Sequence, residues 1–164
     1  MVEKRFKKLA LGGTFDILHK GHKETLRNAF SLSEKVLIGL STDTLVQNLH
    51  KKHKVNPYEE RKKVLEEFLE KEGLKDRVEI LPIHHRFGVA HEIQDLDAIM
   101  VSKETYPIAL EINKIRKERG FKKLEVVILE KVKAEDGEPI SSTKIREGKI
   151  DVEGRLLRKN PLKL

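Results

Sequence analysis

"LALGGTFDILHKGH", residues 9–22, follows an apolar run with two glycines and then sets His19 and His22 around Gly21. Short runs rich in Leu, Ile and Val suit parallel strands covered on both faces. Gly12 and Gly13 at the end of such a strand let the backbone approach a ligand closely or take up positive φ. A helix that follows aims its first amides at an anion. In open parallel sheets ligands bind beyond the carboxyl ends of the strands, near the point where strand order reverses. The stretch therefore has three readings: a turn into a helix with exposed histidines, a grip on phosphates, or part of a zinc site. Neither the G-x-G-x-x-G fingerprint nor the lysine of a P-loop is present. With no cysteine in the chain and no third ligand nearby, zinc is disfavoured.

Working outward, "KVLIGLS" (35–41), "RVEILPI" (77–83), "DAIMVS" (97–102) and "LEVVILE" (124–130) repeat the strand pattern. Between them lie helical patterns. In "NPYEERKKVLEEFLEKEGL" (56–74), Pro57 opens a helix, acidic residues fill its first turn, Val64, Leu65, Phe68 and Leu69 form the apolar stripe, and Gly73 ends it. A second helix is predicted over 107–119, with Ile108, Ile112 and Ile115 on one side and Gly120 as its stop. Strands alternating with helices indicate βαβ units with right-handed crossovers. The expectation is an α/β fold, a Rossmann-like open parallel five-stranded sheet with helices on both faces.

The 164 residues suit one domain, 1–164, with 151–164 as a basic C-terminal extension docked on the core. No apolar run approaches the roughly 20 residues of a membrane span, and the start lacks the apolar segment of a signal peptide, so the expectation is cytoplasmic. The absence of cysteine excludes disulfides and thiolate chemistry. Charged residues make up 37%, which resembles the ion-pair-rich surfaces of heat-adapted proteins. The formal charge of +7 suits a nucleic acid, a membrane surface or a small anionic substrate alike. Aromatics at 5% offer bases no stacking platform, which disfavours nucleic acid as the partner.

A second segment decides among the readings of the first. In "EPISSTKIREG", residues 138–148, Ser141, Ser142 and Thr143 form a helix N-cap region that offers hydroxyls and amides to an anion, with Lys144 and Arg146 supplying positive charge. Two imidazoles about one helical turn apart can face one ligand, and Gly21 removes a side chain where a nucleotide must come close. Together, "HKGH" and "ISST" resemble the two signatures of the nucleotidyltransferase superfamily, which includes the class I aminoacyl-tRNA synthetases. The stretch from about residue 9 to 158 resembles one branch, the archaeal-type phosphopantetheine adenylyltransferases, related to the adenylyltransferase domain of eukaryotic CoA synthase. Its further markers are "NPYEERKKVLEEFL", "FGVA", "VSKETY" with "EINKIRKERG", and "ISSTKIREG".

That resemblance implies transfer of AMP from ATP to 4′-phosphopantetheine, giving dephospho-CoA and pyrophosphate, with Mg²⁺ accompanying ATP. Such transfer needs positioning and charge stabilisation and no covalent nucleophile. By motif position, Thr14 would hold the attacking phosphate, His22 would donate to the α-phosphate, and Arg146 would clamp the β or γ phosphate. Gly12, Gly13, Phe15, His19, Gly21, Ser141, Ser142, Thr143 and Lys144 would complete the ATP site, with Phe15 as packing. Asp16 would fix the loop by accepting backbone amides. Lys51, Lys52 and Lys54 are the candidates for bridging the two phosphates. Where bacterial members place arginines after the fourth strand, this chain has Ser102, Glu104 and Thr105 in "VSKETY". His84, His85, His91 and Arg86 are left outside the site, and no protein metal ligand is assigned. The competing acceptors within the superfamily are nicotinamide mononucleotide, flavin mononucleotide and a polyol phosphate. A basic nucleic-acid-binding module is the reading from another class.

Overall fold

The structure is a computed structural model that describes residues 4–49 and 54–157. Five strands form one all-parallel sheet: β1 (Phe6–Gly13), β2 (Ser33–Ser41), β3 (Val78–Ile83), β4 (Ala98–Val101) and β5 (Glu125–Ile128), in the order β3-β2-β1-β4-β5. The apolar runs set this arrangement. β1 has neighbours on both sides, and its alternate side chains enter two different cores, as the period of two along a strand requires.

On one face, Leu9 and Leu11 of β1 join Val36, Ile38 and Leu40 of β2. Against them pack α1 (Lys20–Leu32) through Leu26, Ala29 and Phe30, and α3 (Tyr58–Lys71) through Leu65 and Leu69. On the other face, Ala10, Leu37, Ile99 and Val101 meet Ala109 and Ile112 of α4 (Tyr106–Glu118). The sheet thus has helices on both faces, as the alternating pattern predicts. Burying a Leu or Ile of this kind contributes about 1.5–3 kcal/mol.

The α3 stripe differs from the sequence expectation at one position. Val64 is 41% exposed, and the buried residue one turn earlier is Arg61, at 1%. Arg61 is held inside by three oxygens: the Asn56 carbonyl at 2.7 Å, the Thr14 carbonyl at 2.9 Å and Asp43 Oδ1 at 3.1 Å. Hydrophobic periodicity cannot foresee a cation that is buried because its partners are in place. A short helix α2 (Asp43–Asn48), capped by the Thr42 hydroxyl accepting from the Leu45 amide, was also not marked by its sequence pattern.

The topological switch lies between β2 and β4, on either side of β1, where the chain leaves β1 in one direction and later returns to the other. Ligand crevices of open parallel sheets form there. The last described segment folds back over this end of the molecule. Ala134, Ile140 and Ile150 make a small separate core, Ile150 pairs antiparallel with Leu156, and the Val152 carbonyl accepts from the Lys20 amide at the start of α1. Within 151–157 the Val152 carbonyl is the contact with α1, while Leu156 and Leu157 are exposed. Residues 158–164 lie outside the described part.

Candidate active site

The loop from Gly13 to His19 joins β1 to α1. Phe15, with φ 49°, is the one non-glycine residue at positive φ among the described residues. Such a conformation persists only where its surroundings over-determine it. Here both neighbours are held: Arg61 donates to the Thr14 carbonyl, and Asp16 is fixed from two sides. Asp16 Oδ1 accepts the Asn56 amide at 2.8 Å, and both its oxygens accept from Arg146, at 2.8 and 2.9 Å. Arg146 also donates to Asn56 Oδ1 at 2.8 Å. The Phe15 ring turns inward as packing, and a Cβ on Gly13 would meet it at 3.0 Å. Gly13 is therefore required by close approach, and neither Gly12 nor Gly13 has positive φ.

His19 is the N-cap of α1. Its Nδ1 accepts from the His22 amide and His22 Nδ1 accepts from the His19 amide, both at 3.3 Å, so the two histidines form a reciprocal capping box. Their rings stack with centroids 3.7 Å apart. Gly21 is needed beneath them, because a Cβ there would lie 2.9 Å from His19 Cε1. With both Nδ1 atoms engaged as acceptors, Nε2 of each ring carries the proton. Burial lowers the His19 pKa to about 4. Burial, reinforced by the neighbouring His19, lowers that of His22 to about 3, with the Ile17 carbonyl and Asp16 opposing. Both rings are neutral at pH 7.

The amides at the start of α1 are mostly used internally. The Lys20 amide donates to the Val152 carbonyl, that of His22 to His19 Nδ1 and that of Lys23 to the His19 carbonyl. Three of the first amides of α1 are thus taken within the chain.

α5 (Ser142–Arg146) begins at Ser141, whose hydroxyl accepts the Lys144 amide at 3.1 Å. Ser142 Oγ lies 3.2 Å from the Ile17 amide and 3.3 Å from its carbonyl, which ties the last motif to the first. Both motifs line one hollow of about 490 Å³, which includes Gly12, Gly13, Thr14, Phe15, His19, Gly21, His22 and Ser141 to Thr143. At Gly12 to Thr14 it meets a second, mostly apolar hollow of about 320 Å³, walled by Leu37, Ile83, Phe87, Val89, Ile108 and Ile112.

The remaining candidates lie partly in this hollow and partly outside it. Lys144 Nζ pairs with Asp136 at 3.2 Å, and Arg146 is bound to Asp16 and Asn56. Lys54 is exposed, next to Val55, which lines the larger hollow. Lys51 and Lys52 lie outside the described residues. Ser102 and Thr105 line the hollow and bond to each other, while Glu104 pairs with Lys131 at 3.3 Å. Lys131 lines the same hollow and was missed in the sequence, because it sits in a charge-rich segment without a motif of its own. Asp16 is the one carboxylate among the described residues lining it, and its oxygens are taken as given above.

Residues 10–148 match the cytidylyltransferase-like family. A phosphopantetheine adenylyltransferase of Methanopyrus kandleri is 46% identical over 147 residues, covering 90% of this chain and 92% of that protein. One from Pyrococcus horikoshii is 46% identical over 160 residues, covering 98% of both. Among solved structures, an Archaeoglobus fulgidus protein of unknown function aligns with a TM-score of 0.66 at 29% identity, over 82% of this chain and 99% of that one. A bifunctional NMN adenylyltransferase/ADP ribose pyrophosphatase from Francisella tularensis shares the fold at 18% identity, TM-score 0.59, over 86% of this chain and 41% of that one.

Proposed function

The chain belongs to the cytidylyltransferase-like family, in its phosphopantetheine adenylyltransferase branch, and we propose from that premise that it transfers AMP from ATP to 4′-phosphopantetheine. The products are dephospho-CoA and pyrophosphate. The observation that carries the reading is the meeting of two hollows at Gly12 to Thr14, one lined by histidines and hydroxyls and the other by aliphatic side chains. A nucleoside triphosphate suits the first and the uncharged arm of a pantetheine suits the second, so that the acceptor phosphate lies over Thr14.

The acceptor phosphate oxygen attacks the α-phosphorus in line, and the bond to the bridging oxygen of pyrophosphate breaks. No proton has to leave a nucleophile that is already anionic, so catalysis rests on donors placed where charge gathers. His22 Nε2–H serves the α-phosphate, with His19 beside it toward the triphosphate. The Thr14 hydroxyl orients the attacking phosphate, and Ser141, Ser142 and Thr143 hold the far phosphates. Neutral imidazoles suit this role, since they donate without requiring a proton from solvent. Arg146 acts through Asp16, fixing the loop that carries Thr14. Lys131, paired with Glu104, is the lysine that lines the hollow, and Lys54 lies next to its wall at Val55.

ATP enters as its Mg²⁺ complex. Mg²⁺ keeps several waters and is commonly held through substrate phosphates. With the Asp16 oxygens engaged, the hollow fits an ion that arrives on the triphosphate, with hydroxyl oxygens of the motif beside it.

The test is pyrophosphate release from purified protein given ATP with each of four acceptors: phosphopantetheine, nicotinamide mononucleotide, flavin mononucleotide and a polyol phosphate. Release with phosphopantetheine at least about 100-fold above the others, in kcat/KM, is expected, a difference of about 2.7 kcal/mol. Equal or greater turnover of another acceptor overturns the assignment.

A further inference from the structure

The loop between β3 and β4 reads "HHRFGVAHE" over residues 84–92, and the catalytic assignment uses none of its histidines. Within it, one nitrogen each of His85 and His91 and one carboxylate oxygen of Glu92 all lie within 4.8 Å of one another. Its position is well defined by the residues beneath it. Arg116 of α4, fully buried, donates to the carbonyls of Ala90 at 2.8 Å and Ile93 at 2.6 Å, and Arg119 donates to that of His91 at 3.2 Å.

His91 is 8% exposed, and its Nδ1 is buried without a hydrogen-bond partner. Its Nε2 lies 3.4 Å from Glu92 Oε1. Two ligand atoms bound tetrahedrally at about 2.1 Å from one ion stand about 3.4 Å apart. The exposed His85 ring has its centroid 5.5 Å from that of His91, and Phe87 packs against the edges of both.

We propose that His85, His91 and Glu92 form a site for a borderline divalent cation of the Zn²⁺, Co²⁺ or Ni²⁺ type, distinct from the ion that accompanies ATP. Two imidazoles and one carboxylate are a donor set for such ions, whereas Mg²⁺ prefers an all-oxygen shell. Three protein ligands leave a fourth position for water. The same loop contributes Arg86, Phe87, Gly88, Val89 and Ala90 to the apolar hollow, so the bound cation pins one wall of that hollow. This holds whichever acceptor the hollow takes.

The full-length chain, stripped of metal with a chelator and then titrated with Co²⁺, tests the site. One Co²⁺ per chain is expected, with the intense visible absorption of a four-coordinate ion, displaced by Zn²⁺ and not by excess Mg²⁺. His85→Ala and Glu92→Gln, both at exposed positions that leave the core intact, each weaken binding at least about tenfold. Zn²⁺ raises the melting temperature of the parent chain and not of His85→Ala. A His19→Asn/His22→Asn chain keeps the Co²⁺ signal. An absent signal, one unchanged by both loop substitutions, or one lost with the His19/His22 pair overturns the proposal.

Discussion

Asp16 and Arg146, 130 residues apart in sequence, are joined by two parallel hydrogen bonds, Nε to Oδ2 at 2.8 Å and Nη2 to Oδ1 at 2.9 Å. The Asp16 side chain is 4% exposed, so the pair is a bidentate clamp closed over a buried carboxylate. Removing the cation alone leaves that carboxylate stranded. Arg146→Ala is expected to lower stability by about 3–5 kcal/mol in urea unfolding. Asp16→Asn combined with Arg146→Ala should cost less than the sum of the single changes. Additive losses would mean that the two residues act independently.

On the proposed mechanism, His22→Ala removes a donor from the α-phosphate. We expect kcat to fall about 10²–10³-fold while the KM for ATP stays within a few-fold, because the lost interaction is made chiefly in the transition state. Steady-state pyrophosphate release measures both constants. A matching rise in KM with unchanged kcat would assign His22 to ground-state binding alone.

Stability should depend on pH through the same pair. The ordinary histidine pKa is 6.5, and the folded values are about 4 for His19 and about 3 for His22. Below pH 6.5 the unfolded chain takes up protons at these positions before the folded chain does, so stability falls as pH drops from 6.5 toward 3. Urea midpoints at pH 7 and pH 5 compare directly. In the His19→Asn/His22→Asn chain the difference between the two pH values should shrink. A difference unchanged by the substitutions would place the titration elsewhere.

Gly21→Ala puts a methyl group 2.9 Å from His19 Cε1 and 3.0 Å from its Nδ1. The ring must move, and the capping box that orients both imidazoles opens. Loss of such a cap costs about 0.5–2 kcal/mol. We expect that modest loss in thermal unfolding together with at least about a tenfold drop in kcat. Full activity would show that the exact ring positions are unimportant.

Arg61→Met keeps length and apolar volume but leaves the Thr14 and Asn56 carbonyls and the Asp43 carboxylate without their shared donor. A stability loss of about 3 kcal/mol or more is expected, with turnover reduced in the part that remains folded. Urea unfolding and single-turnover kinetics measure the two effects separately.

Much of this arrangement is legible in the chain itself. The five apolar runs mark the five strands, and the two motifs at the ends of the chain mark the polar hollow, because both signals are local. The links among Asp16, Asn56, Arg61 and Arg146 are not legible, since a buried guanidinium in a helix has the same sequence signature as an exposed one. Arg61 occupies the side of α3 where hydrophobic periodicity places Val64, and only the three oxygens around it account for its burial. Lys144 reads as the cation of the last motif, yet Asp136 faces it, and Lys131 reaches the hollow instead. Long-range pairing of charges is decided by the fold, after local pattern has had its effect.

The larger hollow draws its wall chiefly from the two ends of the chain, and the smaller one chiefly from the middle, with the tip of β1 and Met100, Val101 and Thr105 in common. On the proposed assignment, changes at middle residues that line the smaller hollow alone, such as Phe87, Val89 and Ile108, can therefore reshape the acceptor's berth without touching the wall of the larger hollow. Such a division lets a lineage exchange one customer for another while the reaction stays the same, so the source of acceptor choice should be sought among Leu37, the 83–90 segment, Ile108 and Ile112.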